Sequence, residues 1–202
     1  MTTLLVLVML GQTLAAEQSR VFGCNGPFTP DLTEQRLIEI YGAANVRAGD
    51  VYVGEGFSEP GAVVFPDSPP DRIEVVWSDG EKRAMPRFVR VRSKSTRWKT
   101  ADLITIGSDL KSIERINRRP FRLRGFGWDY SGSVTSWAGG RLEREETAGC
   151  RIRVALQPGG EGEWPSIWQQ VLGDREFSSG HPAMQKLNPH VYQLLLDFSR
   201  HD

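Results

Sequence analysis

The sequence predicts an α+β fold made mainly of antiparallel strands, because short β-rich runs recur regularly and two helical stretches each precede a group of them. The runs follow one another at about ten residues, with glycine, proline and aspartate between them, as in an antiparallel meander. We therefore expect a short helix followed by a meander, twice along the chain, closed by one disulfide.

The first predicted helix covers residues 31–42. Asp31 suits its N-cap, Glu34 completes a capping box, and Gly42 fits the position after the last turn. One face is apolar and consists of Leu37, Ile38 and Tyr41.

The second predicted helix covers residues 108–117, with Ser108 as its cap. Pro120 prevents its continuation, because proline lacks an amide proton and disfavours a helical conformation in the residue before it. The apolar side consists of Leu110, Ile113 and Ile116.

The predicted strands follow these helices in two groups. Residues 51–53, 62–65, 72–77 and 88–92 follow the first helix, and residues 121–124, 133–137, 151–156 and 191–198 follow the second. Residues 166–172 predict one or two further helical turns.

We expect a single domain over residues 17–202, built either as one unit or as two tandem repeats at 24–100 and 101–198. The similarity of Ile-Glu-Ile-Tyr at 38–41 to Ile-Glu-Arg-Ile at 113–116 favours the repeat. Both interpretations stay open at this point.

Residues 1–16 have the pattern of a secretory signal peptide. An apolar run from Leu4 to Leu10 precedes small residues at Thr13 and Ala15, which suit cleavage by signal peptidase. The run is about half the length that a membrane span needs. We therefore expect a periplasmic or secreted bacterial protein with no membrane span after signal removal; a buried amino-terminal strand is the alternative.

The chain has two cysteines, Cys24 and Cys150. In an oxidising compartment this count predicts one disulfide. Closing so long a loop contributes about 5 kcal/mol in the chain-entropy model. Because a zinc site needs closely spaced ligand pairs, which the sequence lacks, we expect no metal. We also expect no cofactor, because Tyr130 stands where a dinucleotide fingerprint beginning at Gly125 needs its third glycine.

Charge is distributed unevenly although the formal net charge is zero. Residues 82–124 carry 14 Lys and Arg against 3 Asp and Glu, so the rest of the chain is acidic by the same amount. Such asymmetry indicates a face for an anionic partner, or two faces of the protein that pair with each other.

Four arginines in this basic segment alternate along predicted strands: Arg90 and Arg92 on one, Arg122 and Arg124 on another. If the two strands are neighbours, the guanidinium groups form a band suited to phosphate or carboxylate. Since export argues against nucleic acid, we expect an envelope polyanion or an acidic protein as partner. The alternative is a solvated sheet face paired with the acidic residues.

The stretch from Gly125 to Gly132 alternates glycines with aromatic residues. Trp128, Asp129 and Tyr130 lie at its centre and form a candidate ligand-binding loop, because exposed Trp and Tyr offer large contact area at low entropic cost. The alternative is a tight bulge whose aromatic side chains cover the end of the core.

No established catalytic motif is present, and all three histidines lie in the last 22 residues. Asp129 paired with an acid such as Glu143, Glu145 or Glu146 gives an alternative function, that of a cell-envelope hydrolase. The favoured interpretation is a non-enzymatic exported binding module, with no catalytic residue assigned.

The stretch from Gly125 to Gly140, with Trp128-Asp129-Tyr130 and Gly139-Gly140, resembles a family of uncharacterised bacterial exported proteins with a GFGWDYGG signature. The resemblance covers residues 24–198 and implies export but no known activity. Ser131 stands where the signature has glycine, a departure that concerns the turn geometry. In layout alone, the chain is similar to secreted β-lactamase-inhibitor-type modules.

Overall fold

The computed structural model describes residues 20–143, 149–159 and 166–199, and it confirms the α+β class. The predicted signal peptide at residues 1–16 lies outside the described residues. The α-helices are α1 (Glu34–Tyr41), α2 (Leu110–Asn117) and α3 (Pro182–Leu187), with 3-10 helices at Ala43–Asn45 and Ser166–Val171. The strands are β1 (Val46–Gly54), β2 (Phe57–Val64), β3 (Ile73–Asp79), β4 (Ala84–Val91), β5 (Arg122–Arg124), β6 (Val134–Ser136), β7 (Arg151–Gln157), β8 (Glu176–Ser178) and β9 (His190–Asp197).

Both predicted helices form, but their N-caps lie one or two residues beyond the predicted ones. The Thr33 side chain caps α1 by accepting from the Arg36 amide at 3.1 Å, while Asp31 instead accepts from the Thr29 hydroxyl. Asp109 caps α2 by accepting from the Ser112 amide at 3.0 Å. The predicted and the observed cap of each helix both carry a side-chain oxygen that can accept from a backbone amide. The local sequence therefore does not decide which of the two residues caps the helix.

The larger sheet has six antiparallel strands in the order β1-β2-β3-β4-β9-β7. Its first four strands form the predicted meander. Strand β9, near the end of the chain, inserts between β4 and β7 and pairs with both. Strands from both halves of the chain thus share one sheet.

The smaller sheet has three antiparallel strands in the order β6-β5-β8. A bridge between Ser133 and Ala155 connects the start of β6 to β7 of the larger sheet. The strands that follow α2 are therefore divided between two sheets, unlike those that follow α1. The tandem repeat stays a prediction.

The tip of the β1–β2 hairpin bends over the outer face of the larger sheet. Pairing of β2 with β3 begins only at Gly61, and Arg90 on β4 donates to the Tyr52 carbonyl on β1 at 2.6 Å. Strands β2 and β3 lie between β1 and β4, and neighbouring strands are about 4.8 Å apart. In a flat sheet the Arg90 side chain would therefore not reach the Tyr52 carbonyl. Gly61 lies at the bend, where an added Cβ would come within 2.6 Å of the Val51 side chain.

The core lies between the inner face of the larger sheet, the helices and the smaller sheet. Alternate positions of the strands supply aliphatic side chains, as the period of two requires. Large aromatic side chains fill the rest, and those buried almost completely are Phe22, Phe28, Trp98, Phe121 and Phe126.

The predicted disulfide between Cys24 and Cys150 is present, with a Cα–Cα distance of 5.7 Å and a sequence separation of 126 residues. Cys150 directly precedes β7, and Cys24 lies in the amino-terminal segment that also bridges to Lys99 through Val21. The bond therefore holds this segment against the edge of the larger sheet. In the part of the chain that the structure describes, the helices are too short to cross a membrane.

Removing the disulfide tests its contribution to stability. For the Cys24→Ala/Cys150→Ala variant we expect a free energy of unfolding lower by about 2–5 kcal/mol, because the unfolded chain has more conformational entropy without the cross-link. Urea denaturation measures this loss. Reduction should lower the wild-type stability similarly and leave the variant unchanged; a loss below about 1 kcal/mol would contradict the assigned role.

Candidate binding surface

Backbone hydrogen bonds within residues 125–133 fix the aromatic loop between β5 and β6. The Gly132 amide donates to the Gly125 carbonyl at 3.0 Å, the Ser131 amide to Trp128 at 3.1 Å and the Ser133 amide to Tyr130 at 2.9 Å. The loop thus closes on itself, and its backbone is held by its own polar groups.

Phe126 anchors this loop to the core. It is fully buried, and its ring stacks on that of Trp168 at a centroid distance of 4.9 Å and an interplanar angle of 12°. Its amide donates to the Val171 carbonyl at 2.9 Å. Phe126 therefore covers the core, as expected if the stretch is a tight bulge whose aromatic side chains close the end of the core.

The other two aromatic residues of the loop face solvent. Trp128 is 69% exposed and Tyr130 is 81% exposed, the latter in the left-handed conformation with φ of 59°. Asp129 between them is also exposed, and among the described residues it has no hydrogen bond or ion pair. These three residues are brought together as the sequence predicts and are presented outward.

Gly132 attaches the loop to the larger sheet. Its carbonyl accepts from the Leu156 amide of β7 at 3.0 Å, and its φ is 65°. A Cβ at this position would overlap the Leu156 carbonyl and approach the Phe126 ring to 2.9 Å. Only glycine satisfies both the backbone conformation and the close approach.

Ser131 replaces the glycine of the expected signature without strain. Its φ is not positive, and its hydroxyl accepts from the Gly127 amide at 3.3 Å. The Tyr192 hydroxyl donates to its carbonyl at 3.5 Å. The side chain therefore adds a bond that glycine would lack.

Arg90 is almost completely buried, in an ion pair with Glu74. Its side chain is 5% exposed, and its Nε and Nη2 donate to Glu74 Oε2 at 2.9 and 2.7 Å. Burial opposes the charge on Glu74, but the charge of Arg90 and its hydrogen bonds outweigh burial, so the pKa of Glu74 lies below its ordinary value. With its bond to Tyr52, Arg90 fastens the hairpin tip to the sheet.

The four predicted arginines do not form one band. Arg92 follows β4 and contacts Glu74 at 3.4 Å, whereas Arg122 and Arg124 lie on β5 in the smaller sheet. The condition for the band, that the two strands are neighbours, is therefore not met. Arg122 and Arg124 are exposed and lead directly into the aromatic loop.

A cavity of about 510 Å³ lies beside the disulfide, within the size range of small-molecule sites. Its wall is formed by residues from 21–26, 100–104, 134–137, 142–143 and 150–154. Among them are Phe22, Asp102, Ile104, Trp137, Glu143 and Ile152. Sequence reasoning missed it because its lining comes from segments far apart in the chain.

The structure adds no support for paired carboxylates at Asp129. Glu143 accepts from the Gly139 amide at 3.2 Å and lines the cavity, while Glu145 and Glu146 lie outside the described residues. Asp129 is exposed and, among the described residues, has no hydrogen bond or ion pair with an acidic neighbour. Within the described ranges, no three His, Cys, Asp or Glu residues are grouped to hold a metal ion.

Neutralising Glu74 tests the buried ion pair. We expect Glu74→Gln to lower the free energy of unfolding by about 3 kcal/mol at neutral pH, because Arg90 loses its buried counterion. The carboxylate stabilises the fold above its ordinary pKa of 4.5 and stops doing so as pH falls through its lower folded pKa. The difference between wild type and variant should therefore narrow below pH 4.5.

Asp67→Asn is the matched control, because Asp67 pairs with Arg47 at 3.1 Å and both side chains are largely exposed. We expect it to cost less than about 0.5 kcal/mol. Chemical denaturation over a pH series measures both variants, and an equal effect of the two would contradict the assignment.

Comparison with known proteins finds no matching family model, no matching curated protein and no matching solved structure, so the resemblance to exported proteins stays a prediction.

Proposed function

We propose that the protein is a non-enzymatic binding module that acts outside the cytoplasm and contacts its partner through the aromatic loop. One observation carries the proposal: Trp128 and Tyr130 are exposed on a loop whose backbone is already fixed by hydrogen bonds. The partner is a protein or an anionic component of the cell envelope.

The energetics of binding favour this loop. Trp and Tyr are enriched among the residues that dominate binding free energies, because they bury a large area on contact. An ordered loop loses little conformational entropy on binding, so more of that contact energy is retained. Phe126 supports the arrangement by holding the loop from inside.

The charges beside the loop favour an acidic partner. Arg122 and Arg124 are exposed, and neither forms an ion pair with a described residue. Arg124 donates only to a backbone carbonyl, that of Asp174 at 2.6 Å. Guanidinium groups that have no carboxylate partner, placed at the rim of an aromatic surface, orient a partner that carries carboxylate or phosphate groups.

The disulfide supports the extracytoplasmic part of the proposal. Disulfides persist in the periplasm and outside the cell, whereas cytosolic thiols are kept reduced. The Cys24–Cys150 bond suits such a compartment.

A capture experiment with matched baits tests the proposal. Immobilised oxidised wild type, Trp128→Ala and Phe57→Ala proteins are exposed to extract of the bacterial cell envelope. Phe57 is 67% exposed at the β1–β2 hairpin, so it controls for the loss of an exposed aromatic ring elsewhere. We expect wild type and Phe57→Ala to retain the same component, and Trp128→Ala to bind it at least tenfold more weakly, about 1.4 kcal/mol.

Unfolding curves of the three baits serve as the folding control. Truncation of an exposed ring should change stability by less than about 0.5 kcal/mol. Equal capture by all three baits, or no capture above background, would reject the aromatic loop as the binding surface.

A further inference from the structure

Helix α2 presents a row of cations to solvent. Lys111 and Arg115 are exposed and follow the i, i+4 spacing of one helix face, and Arg118, the left-handed residue that caps the end of the helix, is exposed directly after it. Arg119 and Arg122 continue the positive charge beyond the helix end. We call Lys111, Arg115 and Arg118 the α2 stripe.

The opposite face of the helix holds this stripe in place. Leu110, Ile113 and Asn117 are buried, and Asn117 donates to the carbonyls of Arg119 and Trp137 at 2.9 and 3.0 Å. The stripe therefore lies on, and directly after, a helix that is fixed on the core.

Ion pairing divides the basic segment into two parts. Of the eight cations from Lys82 to Lys99, six pair with a described carboxylate and Lys94 and Lys99 do not; the six are Lys82, Arg83, Arg87, Arg90, Arg92 and Arg97. By contrast, none of the six cations from residue 111 to residue 124 is within 4.0 Å of a described carboxylate. The predicted pairing with acidic residues thus accounts for most of the first part of the segment and for none of the second.

The one acidic residue of α2 does not neutralise the stripe. Glu114 accepts from the Gln185 side chain of α3 at 2.6 Å, so its carboxylate is engaged with the neighbouring helix. Arg115 donates only to the neutral Ser112 hydroxyl, at 2.7 Å. Two arginines and a lysine therefore remain available for an external anion.

The shape of the stripe favours an extended array of phosphates over a single small anion. Lys111 and Arg118 are seven residues apart, about 10 Å along a helix axis, so the three cations are spread over a greater length than one small anion covers. Long Arg and Lys side chains can instead reach neighbouring headgroups of a flat surface, and guanidinium matches phosphate oxygens in pairs. Since the formal net charge is zero, attraction to such a surface must come from a local cluster.

We propose that the α2 stripe binds the anionic phospholipid surface of a membrane. This inference goes beyond the proposed function, because it concerns a different set of side chains and does not require the aromatic loop. Binding is peripheral: the cations contact headgroup phosphates and the helix stays packed on the core.

Vesicle co-sedimentation of the full oxidised protein tests this inference. We expect binding to vesicles of phosphatidylcholine mixed with phosphatidylglycerol, none to vesicles of phosphatidylcholine alone, and loss of binding as salt rises. Each basic residue near an anionic surface contributes roughly fivefold in affinity, so Arg115→Gln/Arg118→Asn should bind about 30-fold more weakly. Asparagine is chosen at position 118 because it tolerates the left-handed conformation found there.

Lys94→Gln/Lys99→Gln is the charge-matched control, since both lysines are exposed and lie outside α2. This control and Trp128→Ala should bind anionic vesicles like wild type. An equal loss in the lysine control would show general charge attraction and overturn the inference. It would also be overturned by equal binding to both kinds of vesicle, by binding to immobilised polyphosphate without binding to vesicles, or by absence of binding.

A loss confined to Trp128→Ala would assign membrane contact to the aromatic loop and reject the stripe. Since the capture experiment uses Trp128→Ala and the vesicle experiment uses the α2 variant, failure of one proposal is distinguishable from failure of the other.

Discussion

Strand β9, near the end of the chain, pairs with β4 on one side and β7 on the other and so joins strands from both halves of the chain in one sheet. Leu194 and Leu196 of β9 are fully buried at the centre of the inner face, so the strand joins the two halves of the chain through both hydrogen bonds and core packing. Strand β7 then has two further attachments: Cys150 at its start holds the amino-terminal segment, and Leu156 near its end holds Gly132 of the aromatic loop. A non-local pairing made late in the chain thus fixes the positions of both termini of the described domain and of its candidate binding loop.

The arginines around Glu74 on the larger sheet are paired with a carboxylate, whereas the cations on α2 and β5 are exposed. On the larger sheet, Glu74 lies among Arg72, Arg90 and Arg92, and the buried pair with Arg90 is used to fasten the hairpin tip. Desolvation makes such a charge costly unless its partner is present, which explains why the arginine is enclosed by acceptors. On α2 and β5 the cations are exposed and lack acidic partners among the described residues. Exposed cations cost little in water and are therefore the ones available for contact with an anionic partner.

Local patterns in the sequence were sufficient for the α+β class, the first meander and the disulfide, because periodicity, turn residues and cysteine count act at short range or by composition. They were not sufficient for the partner of each strand. The alternation that predicts Arg90 and Arg122 on strands is correct, but it does not say that β4 and β5 belong to different sheets. Similarly, the glycine-aromatic stretch predicts a distinctive loop, whereas the burial of Phe126 and the exposure of Trp128 depend on Trp168 and β7, which are distant in sequence. The cavity beside the disulfide was missed for the same reason.

Hydrogen bonds within the aromatic loop, its bond to β7 and the burial of Phe126 fix one conformation of the loop in the free protein. Amide hydrogen exchange of the free protein tests it most directly, because the amides of Ser131, Gly132, Ser133 and Leu156 all donate hydrogen bonds that exist only if the loop is closed. We expect these amides to exchange on the order of a hundredfold or more slowly than in an unstructured chain, as for other locally stable segments. Protection of Leu123 in β5 together with free exchange of the loop amides would show an unordered loop on an intact sheet and would contradict the claim.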